Sequence, residues 1–127
     1  IADALDMRIV GGETHFTRFD MRPFFENPKL PILQPDIMRG GFTELIKIAN
    51  LADTWGMTIA PHLFPELMVQ VMASISNPLI IEYVNWMDDA WVEPVLPIDG
   101  YYSAPERPGH GIKFKNDFIS EYAIISD

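Results

Sequence analysis

Four residues whose types could do chemistry together, Glu13, Asp36, His62 and Glu82, stand at or near the polar ends of four short apolar segments: MRIVGGE, LPILQPD, MTIAPH and LIIEYV. Intervals of 23, 26 and 20 residues separate them. An imidazole among three carboxylates suits removal of a proton from a carbon next to a carboxylate. Such a carbon acid is far too weak for an imidazole acting in water, so the developing enediolate must be stabilised by metal charge and by a hydrogen-bond donor. Glu13 offers a hard anionic oxygen of the kind Mg²⁺ takes in small number. His62 is the candidate general base, because imidazole exchanges protons near neutral pH. Asp36 is the candidate anion that fixes the ring tautomer and stabilises the imidazolium. Glu82, held protonated by apolar surroundings, is the candidate donor to the substrate carboxylate. Singly, each has a plainer reading as a solvated or helix-capping carboxylate or a structural histidine; recurrence at every segment end argues against it.

The segments that must position these residues are nearly continuous in hydrophobicity, which predicts strands buried on both faces of a parallel sheet. Between the second and third, a helix is expected from near Thr43, with Leu45, Ile48, Ala49, Ala52 and Trp55 on one face and Gly56 at its C-terminus. Pro65 to Ser76 predicts another, with proline in the first turn and Met68, Val71, Met72 and Ile75 along one stripe. One strand–helix repeat fits each interval, so the four side chains are expected at the carboxyl ends of neighbouring strands. Thr14 to Pro28 reads as a loop with at most a short helix, and Ile1 to Asp6 as the last turns of a helix. Beyond Glu82, a Trp-, Pro- and Gly-rich tail predicts irregular covering structure with one or two short strands. The fold class is α/β. Four parallel strands alone would leave open sheet edges, which predicts a partner half.

With 127 residues, 48% of them hydrophobic, the chain is long enough for one domain with a core, and disorder is excluded. Eighteen acidic against nine basic residues give a net charge of −9, which argues against nucleic acid as a partner. Trp55, Trp86 and Trp91 have no interleaved basic residues, so they read as core or interface aromatics. No apolar run reaches the ~20 residues that span a bilayer, and the first ten residues lack a signal-peptide layout, so no membrane and a cytoplasmic location are expected. The absence of cysteine excludes disulfides and thiolate chemistry.

GGE (Gly11 to Glu13), QPDIMRGG (Gln34 to Gly41), APHLF (Ala60 to Phe64) and IIEY (Ile80 to Tyr83), with VEP (Val92 to Pro94) and PGHGIKF (Pro108 to Phe114) downstream, together resemble the mandelate racemase group of the enolase superfamily. In order and spacing they are similar to the ends of strands five to eight of that family's modified TIM barrel, over roughly residues 1 to 115. The resemblance implies that Glu13 is the third of three metal ligands, that Asp36 and His62 form the general-base dyad, and that Glu82 is the enediolate-stabilising acid. Glu at position 13 and His rather than Lys as base favour this group over the muconate-lactonizing and enolase groups. Family members carry a capping domain and strands one to four ahead of this region, with two more metal ligands and often a lysine base. The chain is therefore expected to be the C-terminal half of a larger enzyme: residues 1–95 the half-barrel, residues 96–127 a tail packing toward the capping domain. Homo-oligomers are common among relatives.

Three functions follow. The first is a Mg²⁺-dependent acid-sugar dehydratase, in which the dyad removes the α-proton and water leaves the β-carbon. The second is a racemase or epimerase of a 2-hydroxy acid through the same intermediate, using a second base. The third is a non-catalytic half-barrel for binding or assembly. Weaker candidates remain open between two readings: Arg18 and Arg39 as anion contacts or surface pairs, His15 as a mouth or loop residue, and Leu63 and Phe64 as pocket-shaping or packing residues. His110 reads as structural, and Asp88 with Asp89 as a solvated turn.

Overall fold

Three of the four apolar segments lie side by side in the computed structural model of the chain, which describes residues 1–27 and 29–124. β1 (Val10–Gly11), β2 (Ile32–Leu33) and β3 (Thr58–Ile59) form a parallel sheet in that order. Val10 pairs with Ile32, and Ile32 with Thr58. The strands are shorter than the apolar segments because Pro31, Pro35 and Pro61 bring no N–H to the ladder. Single bonds nonetheless extend the pairing toward the carboxyl ends: Gln34 N–H to Gly11 O at 2.8 Å, Ala60 N–H to Leu33 O at 2.9 Å and His62 N–H to Pro35 O at 3.0 Å. Burial on both faces holds for the central β2; Val10, at the edge, is 41% exposed.

The fourth segment departs from the expected strand. Ile59 bridges to Pro78 through bonds with Asn77 O (2.9 Å) and Leu79 N–H (2.8 Å), and beyond Leu79 the chain leaves the sheet. Pro78 cannot donate, and no described strand pairs with its outer side. The run therefore forms an exposed edge, with Ile80 65% exposed, where the sequence predicted a buried strand.

The helix expected from Thr43 is α2 (Ile37–Thr54), which begins at Ile37 and is broken by a kink at Gly41, where φ is 68°. Its second part follows the predicted stripe, with Leu45, Ile48, Ala49 and Ala52 buried; Trp55, the last member, is half exposed. α3 (Pro65–Met72) stops short of the predicted Ser76 but buries Met68, Val71 and Met72 as expected. These faces meet β2 and β3 in a core built around Leu33, Ile48, Ile59 and Met72, extended by Ile37, Leu45, Met68 and Val71. Each such aliphatic side chain contributes about 1.5–3 kcal/mol on burial. The buried Asn77 amide donates to Ala49 O (3.0 Å) and Met57 O (2.9 Å), tying α2 to the approach to β3.

The predicted loop from Thr14 contains α1 (Arg22–Glu26), with Pro23 in its first turn; Pro28 lies outside the described residues. Ile1 to Asp6 holds a single exposed 3₁₀ turn at Ala2–Ala4 in place of α-helical turns. The tail has a 3₁₀ helix at Asn85–Ala90 and two isolated antiparallel bridges, Trp91–Phe114 and Ile98–Tyr101, in place of short strands. It ends in α4 (Asn116–Tyr122), which the sequence reading did not anticipate; residues 125–127 lie outside the described residues.

Candidate active site

Asp36 lies three residues beyond β2 and caps α2. Its backbone is extended, and one carboxylate oxygen (Oδ1) accepts the Met38 N–H at 2.7 Å, satisfying a free donor of the first helical turn. The other oxygen (Oδ2) lies 3.1 Å from His62 Nδ1. The pair sits where the β2–β3 register runs on: the offset of 26 between Ile32 and Thr58 equals that between Asp36 and His62, which form a parallel bridge. Asp36 is buried, and the His62 side chain is 22% exposed. Because the carboxylate accepts at Nδ1, the neutral ring carries its proton there and leaves the Nε2 lone pair free.

Nε2 points to the Glu13 carboxylate, 3.7 Å away and too far for a hydrogen bond. Glu13 lies beyond β1, past Gly12, and half of its side chain is exposed. Glu82 approaches from the other side: Oε2 accepts the Leu63 N–H at 2.9 Å. All four sequence-predicted residues thus gather along one sheet end. Glu82, however, is exposed and accepts a backbone hydrogen bond, in contrast to the predicted apolar surroundings.

The turn that brings Leu63 N–H to Glu82 is strained. Leu63 (φ 52°) and Phe64 (φ 48°) both occupy the left-handed region, disfavoured for residues with a Cβ, and Phe64 precedes a proline. Packing of Phe64 against Ile37, Leu45, Met68 and Val71 helps hold this geometry.

Among the weaker candidates, Arg18 Nη1 donates to both carboxylate oxygens of Glu44 at 2.8 Å, and its backbone N–H donates to Oε1 of the same carboxylate. That backbone bond, followed by the guanidinium, holds the Glu44 carboxyl below the usual range. Arg39 is exposed yet partnered: Nε donates to Glu13 O at 2.5 Å and lies 3.8 Å from Asp36 Oδ2. His15 packs edge-on against Phe24, and His110 Nδ1 accepts the Ile112 N–H within its turn. Trp91 is buried against Phe114, whereas Trp86 is 73% exposed. Asp88 accepts the Tyr83 hydroxyl at 2.5 Å, so it is paired, in contrast to the solvated turn expected for it.

Sequence reasoning missed Glu66, a buried carboxyl in the first turn of α3 with an unpartnered Oε1. Burial raises its pKa; hydrogen bonds, one from Trp91, oppose this, and the Asp88 charge adds to it. Beside it the Tyr102 hydroxyl, also buried and unpartnered, is pushed up to about 12, chiefly by burial. A Pro-Glu pair opening a helix gives no sign of burial.

As for a metal, Glu13 presents a suitable hard oxygen, but among the described residues no three carboxylate or imidazole side chains are grouped to hold an ion. The chain fits as a contributor of one ligand. No described helix is long and apolar enough to cross a membrane.

Parallel strands joined by helices, with polar side chains gathered at the strands' carboxyl ends, are the arrangement of an α/β barrel. Residues 1–118 match the family described as enolase C-terminal domain-like, and the chain belongs to that family. It is 32% identical to D-xylonate dehydratase of Haloferax volcanii over 91% of its own length and 31% of that protein. It is 31% identical to 3,6-anhydro-alpha-L-galactonate cycloisomerase of Streptomyces coelicolor, covering 91% of the chain and 33% of the relative. The crystal structure of L-talarate dehydratase from Polaromonas sp. JS666, complexed with Mg and L-glucarate, superposes with a TM-score of 0.83 at 30% identity, covering 94% of this chain and 34% of that one. The chain thus spans about a third of the length of the relatives it matches. Its fold is the C-terminal half of the modified barrel, with the fourth strand reduced to the bridge at Pro78.

Proposed function

We propose that this chain supplies the general base, the stabilising acid and one metal ligand of a Mg²⁺-dependent acid-sugar dehydratase. The observation that carries the reading is the His62 Nδ1–Asp36 Oδ2 bond of 3.1 Å, which leaves Nε2 facing Glu13. In this reading Nε2 takes the α-proton of a sugar acid, while Asp36 stabilises the imidazolium. The electron pair of the broken C–H bond passes into the enediolate, then forms the carbon–carbon double bond as the β-hydroxyl departs. The imidazolium returns its proton to that hydroxyl as water, and the enol tautomerises to a 2-keto-3-deoxy acid. Glu82, with Oε2 anchored to Leu63 N–H, has Oε1 to carry a proton and donate it as a hydrogen bond to the substrate carboxylate. Mg²⁺, when bound, supplies positive charge for the enediolate, and Glu13 is its ligand from this chain.

The relatives' names, two dehydratases and a cycloisomerase, support acid-sugar chemistry. In this reading the remaining metal ligands belong to the N-terminal half of the barrel, and the tail packs toward a capping domain. The test is to incubate the intact protein with Mg²⁺ and a panel of sugar acids in D₂O. A 2-keto-3-deoxy product is expected. An inverted, deuterated substrate would mean a racemase instead, and the absence of any metal-dependent exchange would leave a binding module.

A further inference from the structure

The segment that carries Glu13 receives little positional information from the sheet. The last backbone bond to this segment from its neighbour, Gln34 N–H to Gly11 O, precedes Gly12, which turns away with φ 121°, and Glu13, Thr14 and Phe16 are exposed and belong to neither core cluster. His15 packs on Phe24 and the Phe16 N–H is held by Asp20, but the fastenings on Glu13 itself and on the far side of the loop come from the first turns of α2. Arg39 Nε donates to Glu13 O at 2.5 Å, lies 3.8 Å from the Asp36 carboxylate, and carries its guanidinium 5.4 Å from the centre of the Phe16 ring. Next to it, Gly40 lets the loop rest on the helix: a Cβ there would come within 2.8 Å of Phe16 O. Farther along, Arg18 joins the loop to Glu44.

We propose that Arg39 is a positioning residue that sets the Glu13 carboxylate against the Asp36–His62 pair. The bond is charge-assisted, and the same Nε keeps the guanidinium charge 3.8 Å from the Asp36 carboxylate, a placement that the shorter-reaching point charge of an ammonium does not reproduce in full. The consequence for metal binding rests on the reading of Glu13 as a metal ligand. A purely electrostatic role would have the opposite sign, because removing a positive charge near the site by itself favours a cation.

The experiment is Mn²⁺ titration of the intact protein followed by electron paramagnetic resonance, without substrate, for Arg39→Ala, Arg39→Lys, Arg18→Gln and Glu13→Gln, with thermal melts of each. Arg39→Ala should weaken Mn²⁺ binding about 10-fold, as loss of groups that orient a ligand typically does. Arg39→Lys should recover part of that loss, and Arg18→Gln should stay within about twofold of the parent whatever its melting temperature. Unchanged or tighter Mn²⁺ binding by Arg39→Ala, with weakened binding by Glu13→Gln, overturns the positioning role. So does an Arg18→Gln defect as large as that of Arg39→Ala, which would mean general loosening of the loop. If Arg39→Ala does not fold, Arg39→Lys decides: binding equal to the parent's overturns the role. Parent-like binding by Glu13→Gln overturns instead the reading of Glu13 as a ligand.

Discussion

The centre of the sheet and its two edges hold the candidate site by different means. Asp36 and His62 lie where β2 and β3 are in register, with a buried carboxylate fixed by two partners. Glu13 and Glu82 lie on exposed chain at either side, each located by one hydrogen bond: Arg39 to the Glu13 carbonyl, and Leu63 to the Glu82 carboxylate. The proposed base is thus placed by the fold, whereas the groups proposed to meet the substrate's negative charge depend on neighbouring loops. A site divided in this way keeps its proton-transfer geometry while its rim changes, which suits a family whose members act on different acid sugars.

Substitutions can break or sharpen this contrast. The largest effect is expected at the centre: His62→Asn should lower turnover and α-proton exchange by about 10³-fold or more. Asp36→Asn should cost about 10²–10⁴-fold, yet asparagine caps a helix about as well as aspartate, so melting should change little. A joint loss of activity and fold for Asp36→Asn would contradict the division of labour between its two oxygens. Next comes packing: Leu33→Ala in the buried central strand should cost ~2–5 kcal/mol in denaturant titrations, and Val10→Ala at the edge under ~1 kcal/mol.

A smaller effect is expected from Glu66, which burial holds above the ordinary carboxyl range. The folded state binds this proton more tightly than the unfolded chain does. Its contribution is therefore fully present below the unfolded value and is lost as pH rises through the folded one. Glu66→Gln should melt higher relative to the parent at pH 8 than at pH 4, and a difference independent of pH would refute the assignment. Smallest is Trp86→Ala in the exposed tail, expected within about 0.5 kcal/mol of the parent.

The parts legible in the sequence were those governed by periodicity and spacing. The interval between Asp36 and His62 matches the β2–β3 register, because paired strands carry an offset fixed near their start through to their ends. The stripe from Leu45 to Ala52 was likewise readable, because helical burial repeats at three- and four-residue steps. Other features depend on tertiary context. The helix was expected from near Thr43, but it starts at Ile37, where the Asp36 cap begins it, and kinks at Gly41. Leu63 and Phe64 are of residue types that give no sign of a left-handed turn, and packing overrides their preference. Leu79 to Val84 had the composition of a buried strand, but burial requires a neighbour that composition alone does not supply. The choice for Arg39 between an anion contact and a surface pair was not legible, because its partner is a main-chain carbonyl 26 positions earlier.

The shared carboxylate of Asp36 makes the start of α2 a latch on the imidazole. Heating that frays only this first turn would free the carboxylate from Met38, let the ring swing, and break the proposed proton-transfer geometry while Leu33 and Ile59 remained packed. Inactivation would then run ahead of global melting, with α2's opening turn as the fuse.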